Sequence, residues 1–171
     1  MKPFRRARAG LGYVPQEREV FPSLTVVENL AVAARSESAW GVDRVFELFP
    51  RLAERRSHRA LHLSGGEQQM LAIGRALMGD PDVMLMDEPS EGLAPIVIEQ
   101  LTHTISRLRD ETSMSILLVE QHVDVALDFA VRIVVMDRGR IAYDGASSEL
   151  MADTERMHAL VGIGGRRAPN T

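Results

Sequence analysis

From residue 64 onward the apolar positions switch repeatedly between two periods. Met70, Ile73 and Leu77 recur at i, i+3 and i+7, the stripe of a helix with one buried face. Gly79-Asp80-Pro81 supplies its stop. Val83-Met84-Leu85-Met86 is then a continuous apolar run of strand length, closed by Asp87-Glu88-Pro89. Val97, Leu101, Ile105 and Leu108 line one face of a second helix, and Ile116-Leu117-Leu118-Val119 is a second apolar strand closed by Glu120-Gln121-His122. A short helix over Asp124–Phe129 leads to a third strand, Ile133-Val134-Val135-Met136, and Arg138-Gly139 marks a tight turn into Ile141-Ala142-Tyr143. Ser148 caps a last helix that runs to about Leu160, and Gly162–Thr171 reads as a disordered tail.

The first half is less regular. Twelve basic and irregular residues precede a short strand that runs through Gly12-Tyr13-Val14 into a loop at Pro15-Gln16. Thr25-Val26-Val27-Glu28 has capping-box spacing and starts a helix. Val42 to Leu52 is helical in pattern but interrupted by Pro50, and the arginine-rich run Arg51–Arg59 reads as a solvated helical face. Apolar strands alternating with amphipathic helices imply an α/β fold, a parallel sheet with helices on both faces. Without an internal repeat or a linker, one domain is expected.

Composition narrows the function classes. The 171 residues are 45% hydrophobic and 26% charged with a formal net charge of −4. A basic excess of the kind that marks nucleic-acid binding is absent, and no apolar run approaches the ~20 residues of a membrane-spanning helix. There is no cysteine, which removes disulfides, thiolate metal sites and a cysteine nucleophile together. Lys2 is the sole lysine among twenty basic residues.

In parallel α/β sheets ligands collect at the carboxyl ends of strands, where three polar clusters fall: Gln16, Asp87-Glu88 and Gln121-His122. An extended chain puts Asp87 and Glu88 on opposite sides, so that one can hold a hard cation and the other orient a water; equally, two acids can simply end a strand before Pro89. Ser64 and Glu67 have capping-box spacing, enough for a helix start alone. The intervening Gly65-Gly66 is not needed for capping, and strips the helix tip so that its amides can approach an anion.

Taken together, Leu63-Ser64-Gly65-Gly66-Glu67-Gln68-Gln69 and Val83-Met84-Leu85-Met86-Asp87-Glu88-Pro89 resemble the signature and Walker B motifs of ABC transporter ATP-binding subunits. Gly12–Gln16 resembles the Q-loop, and Ser90-Glu91-Gly92-Leu93-Ala94-Pro95 the D-loop. The resemblance runs from about Leu11 to about Leu150. Val20-Phe21-Pro22-Ser23-Leu24-Thr25-Val26, Gly92-Leu93-Ala94-Pro95 and Leu118-Val119-Glu120-Gln121 look like the branched-chain amino acid importers within that family, and a urea- or amide-type importer is similar.

The resemblance implies a P-loop NTPase-like sheet with an α-helical signature subdomain at about 25–80, inside a partial ATPase domain at 1–161. It implies ATP and Mg²⁺ as ligands. Asp87 would hold Mg²⁺ with Gln16, and Glu88 would polarise the attacking water. Ser64, Gly65, Gly66 and Glu67 would form the signature contact to the γ-phosphate of ATP held by a second ABC ATPase subunit, in a homo- or heterodimer. Gln121 would take the place of the family's switch histidine, donating a hydrogen bond without carrying a proton. The loop at Gln16 would touch transmembrane permease subunits, with the chain peripheral on the cytoplasmic face of the plasma membrane, uninserted and without nucleic acid.

The family also needs a strand, a Gly-x-x-x-x-Gly-Lys-Ser/Thr loop and a helix before its Q-loop. Only fifteen residues precede Gln16, and no such loop can be drawn through them. By resemblance the missing strand lies between Ile116–Val119 and Ile133–Met136. Those two strands should therefore either close up or leave edges that await a partner. An N-terminally incomplete importer ATPase is the expectation. A short non-catalytic module that lends its signature motif to another subunit's ATP, or a soluble ATPase of the same superfamily, are the alternatives.

Overall fold

A computed structural model describes residues 1–36 and 38–161, which form two compact units divided between Glu120 and Gln121. The first unit runs α1 (Pro3–Arg8), β1 (Leu11–Val14), α2 (Val26–Val32), α3 (Val42–Leu48), α4 (Pro50–Glu54), a 3-10 turn (Ala60–His62), α5 (Gly65–Met78), β2 (Val83–Asp87), α6 (Pro95–Glu111) and β3 (Ser115–Val119). Its three strands form one parallel sheet in the order β1-β2-β3, with Val14 opposite Met86 and Asp87 opposite Val119.

The predicted α5 stripe is exceeded. Met70, Ile73 and Leu77 are buried, but so are Leu71, Ala72 and Gly74 on other faces, because α2, α3, α4 and β1 all pack on this helix. Gly74 is what lets them approach: a β-carbon there would lie 2.7 Å from Val45 Cγ1 and 3.2 Å from Leu30 Cδ2. Helix α6 keeps one stripe, with Leu101, Ile105 and Leu108 buried and Ile96 exposed. Burial alternates along β3, where Leu117 and Val119 are exposed. Among the described residues β3 is laddered to β2 alone, so one edge of the sheet stays open.

Several sequence expectations are corrected. The basic N-terminal stretch is not wholly irregular: Pro3 starts α1, three arginines complement the dipole of its last turn, and no residue in it is buried. The helix over 42–52 breaks at Phe49, and Pro50 becomes the first position of a new helix. The arginine-rich run is helical only to Glu54. Beyond it the carbonyls of Arg56 and His58 accept the first-turn amides of α2, from Val27 at 3.2 Å and Val26 at 3.0 Å. That duty holds the run out of helix.

The predicted capping box at Thr25 forms in full. Behind it lies Asn29, completely buried in α2. Its Oδ1 accepts from Phe21 N–H at 2.8 Å, and its Nδ2 donates to the carbonyls of Phe21, Leu24 and Thr25 at 3.0, 3.3 and 2.9 Å. One side chain thus satisfies the backbone of the loop that follows β1.

The second unit runs α7 (Val123–Phe129), β4 (Arg132–Asp137), β5 (Arg140–Ala146), α8 (Ser147–Ala152) and α9 (Thr154–Val161). Strand β4 is laddered antiparallel to β5 alone among the described residues. Arg138 and Gly139 both take positive φ, 47° and 77°, the two-residue turn that matches hairpin twist. Leu127, Tyr143 and Leu150 form its core, with Ile133 and Val135 packed against them. The expected single last helix is two: it begins at Ser147, and Asp153 ends α8 and caps α9 by accepting Arg156 N–H at 2.9 Å. The tail at 162–171 lies outside the described residues.

Asn29→Ala should destabilise the chain by about 2–4 kcal/mol, because it strips partners from several buried backbone groups at once. Urea denaturation followed by circular dichroism checks this; a loss below the cost of an ordinary surface substitution would contradict it.

Candidate functional site

Because β1 and β2 are parallel and in register, the residues after Val14 and after Met86 leave the sheet side by side at its carboxyl edge. Gln16 Nε2 donates to Glu88 Oε2 at 3.2 Å and also to Glu91 Oε2. Tyr13 donates its hydroxyl to Asp87 Oδ2 at 3.2 Å. Partial removal of water around the phenol, then the hydrogen bond and charge of Asp87, push the Tyr13 hydroxyl up from its usual range.

The extended Asp87-Glu88 geometry expected from sequence is not found. Asp87 ends the strand, and Glu88 turns into the left-handed region at φ 44°, a conformation that costs a side-chain-bearing residue about 1–2 kcal/mol. The turn is held by Glu88 N–H to Val119 O at 2.8 Å and Glu91 N–H to Glu88 O at 3.1 Å. Asp87 and Glu88 are therefore separated by a sharp turn, each with its own partner from the β1 side.

Ser64 caps α5 with both halves of the capping box present. Its Oγ accepts Glu67 N–H at 3.3 Å, while Glu67 Oε2 accepts from Ser64 N–H at 2.8 Å and from the Ser64 hydroxyl at 3.0 Å. The hydroxyl proton expected to serve an anion is thus directed at Glu67. Partial burial opposes the Glu67 charge, but the Ser64 amide and hydroxyl, then Arg55 at 3.6 Å, outweigh it and hold the carboxyl below its ordinary range.

The two glycines turn out to serve packing as well as access. A β-carbon on Gly66 would lie 2.5 Å from Val97 Cγ1, so α6 already occupies that side. A β-carbon on Gly65 would lie 2.9 Å from Arg18 Nη1. Arg18 also donates Nη2 to Glu91 O at 3.3 Å, and its own φ is 65°. One guanidinium joins the loop after β1, the start of α5 and the turn after β2. Sequence reasoning missed Arg18, Tyr13 and Glu91. For Tyr13 the period of the strand gives a partial signal, since it alternates with buried Val14; for Arg18 no local pattern exists.

Of the sequence-predicted residues, Gln16 and Glu88 are brought into contact, while Asp87 is turned toward Tyr13 instead. Ser64 is exposed, Gly65, Glu67, Asp87 and Glu88 are half-buried, and Gly66 is buried. Gln121 opens the second unit and lies just before His122, the N-cap of α7. Asp87 and the Gln16 amide carbonyl are oxygen donors of the kind a hard cation such as Mg²⁺ takes, and no cluster of three acids or histidines that could hold a metal forms among the described residues. At α5 the first-turn amides of Gly65 and Gly66 have no intrahelical acceptor and sit at the positive end of the helix dipole, which suits a phosphate.

The family model described as ABC transporter matches residues 2–91. The chain is 45% identical over 159 residues to the high-affinity branched-chain amino acid transport ATP-binding protein BraG of Pseudomonas aeruginosa, covering 91% of this chain and 68% of that protein. It is 36% identical to the probable branched-chain amino acid transport ATP-binding protein LivF of Archaeoglobus fulgidus, covering 95% and 71%. Among solved structures, a bacterial Atm1-family ABC exporter with ATP bound is 27% identical at a TM-score of 0.71, over 91% of this chain and 28% of the exporter. A dimeric ATP-binding cassette bound to ADP and Pi has the same fold at a TM-score of 0.71 and 23% identity, over 86% and 68%.

Because the folded-state carboxyl of Glu67 is lowered, its contribution to stability is complete above the unfolded value of about 4.3 and is lost as pH falls through the folded one. Glu67→Gln keeps an acceptor but removes the titration. Urea midpoints measured from pH 6 down to pH 3 should fall less steeply in this variant than in the parent; identical slopes would remove Glu67 from the acid-sensitive groups.

Proposed function

The chain belongs to the ABC transporter family of ATP-binding proteins, and from that premise we propose that it is the ATP-binding subunit of an importer for branched-chain amino acids. The observation that carries the reading is the Gln16 amide on the Glu88 carboxylate at the shared edge of β1 and β2. It couples a loop that can sense a docked partner to a carboxylate that can orient a water. The solute follows from what the BraG and LivF relatives are named for.

In this reading residues 1–161 belong to an ATPase domain with a helical subdomain at about 25–80. Asp87 and Gln16 hold Mg²⁺, which neutralises phosphate charge when bound. Glu88 orients the attacking water. Ser64, Gly65 and Gly66 meet the γ-phosphate of ATP carried by a second ATPase subunit, with the Ser64 hydroxyl turning away from Glu67 to donate. Glu67 keeps the helix tip ordered during that turn, and Gln121 adds a neutral hydrogen bond. The subunit sits on the cytoplasmic face of the plasma membrane, where ATP is available, docked on permease subunits through the loop after β1. No helix among the described residues is long and apolar enough to cross a membrane.

The 171 residues contain no Gly-x-x-x-x-Gly-Lys-Ser/Thr sequence, so the lysine for the β- and γ-phosphates must come from outside them. Purified alone, these residues should show no Mg²⁺-dependent ATP turnover. In membranes carrying the assembled transporter, Glu88→Gln should lower ATP-driven leucine, isoleucine and valine uptake by about 10²- to 10⁴-fold while ATP still binds. Uptake at the parental rate would reject the role of Glu88, and loss of a different solute on deleting the subunit would reject the substrate class.

A further inference from the structure

Ser90, two residues beyond Glu88, is almost wholly buried, and its amide donates to Glu120 Oε1 at 3.0 Å. Ser90 Oγ and Glu120 Oε2 are also buried, and among the described residues neither has a hydrogen-bond partner. Through its carboxylate Glu120 thus holds the backbone of the turn that follows β2. One residue earlier, Val119 O accepts the amide of Glu88 at 2.8 Å. Two consecutive residues at the end of β3 thus hold the amides of residues 88 and 90, on either side of the backbone link that carries Glu88 at positive φ.

Stability alone does not account for this arrangement. A carboxylate with one buried, unpartnered oxygen is costly, and an apolar side chain of similar size would fill the space without that cost. A polar group kept in such a place calls for another explanation, and strained backbone persists only where its surroundings over-determine it. We propose that Glu120 is a positioning residue for ATP hydrolysis: its carboxylate anchors the Ser90 amide and so fixes the turn that aims Glu88. It touches neither nucleotide nor water. The inference rests on the reading of Glu88 as the group that orients the attacking water.

Two variants separate positioning from bulk stability. Glu120→Gln keeps an oxygen acceptor for the Ser90 amide, whereas Glu120→Ala removes it. In the assembled transporter, Glu120→Ala should lower kcat for ATP by about 10- to 100-fold with KM little changed, and Glu120→Gln should restore most of the rate. Amide hydrogen exchange on the same full chain should quicken at Glu88, Ser90 and Glu91 in Glu120→Ala alone, while α5 keeps its protection. Either change without the other overturns the proposal, as does an equal loss in Glu120→Gln. If Glu120→Ala loses protection throughout, the size-matched Glu120→Leu replaces it under the same criteria. A parental rate in Glu88→Gln would instead sink the reading of Glu88, and the exchange at these amides would still decide whether Glu120 holds the turn.

Discussion

The parallel ladder between β1 and β2 decides how Tyr13, Gln16, Asp87 and Glu88 meet. With Val14 opposite Met86, the chain leaves both strands at the same height, and Gln16 reaches Glu88 while Tyr13 reaches Asp87. A one-residue slip would turn each strand's side chains to the other face and separate both pairs. Burial guards against it. Val14, Met84 and Met86 are almost completely buried while Tyr13 is exposed, so the slipped register would bring Tyr13 and the half-buried Leu85 into the place of these core side chains. The positions that fix the chemistry are thereby fixed by hydrophobic packing one residue away from it.

The same economy appears at α5. Its buried flank is crowded enough to require Gly74 against Val45 and Leu30, and its exposed tip carries two more glycines. The bareness of the tip is used by packing, because Val97 presses on Gly66 and Arg18 on Gly65. The glycines therefore have a structural demand that holds with no nucleotide present. What remains available to a phosphate is the amide face of the first turn, with the Arg18 guanidinium beside it.

Much of the fold was legible in the sequence because the signals were local. The capping boxes at Thr25 and Ser64, the α6 stripe, the apolar runs that became β2 and β3, and the Arg138-Gly139 turn each need only a few neighbouring residues to specify them. What was missed depended on distant partners. Nothing near Arg55–Arg59 announces that two of its carbonyls cap α2, and nothing near Asp153 distinguishes a break from a continuing helix except its own side chain. At the site, the residue types at Gln16, Asp87 and Glu88 were readable, but the left-handed turn at Glu88 was not. That turn is stabilised from β3, some thirty residues further on, through Val119 and Glu120.

The charge pattern assigns different tasks to the two ends of the site. Glu88 and Glu91 both accept from Gln16, with Asp87 next to Glu88 in the chain, and such acids repel a polyphosphate at close range unless a cation intervenes. The α5 tip carries the opposite polarity and can meet a phosphate directly. Under the proposed function, a nucleotide at the acidic edge would be reached through Mg²⁺ and water, and one at the helix tip through backbone amides. Arg18 touches both regions, with its guanidinium beside Gly65 and bonded to the Glu91 carbonyl. Any displacement of the turn after β2 must either carry this guanidinium along or break its bond to Glu91. One guanidinium thus ties the tip of α5 mechanically to the turn that carries Glu88 and Glu91.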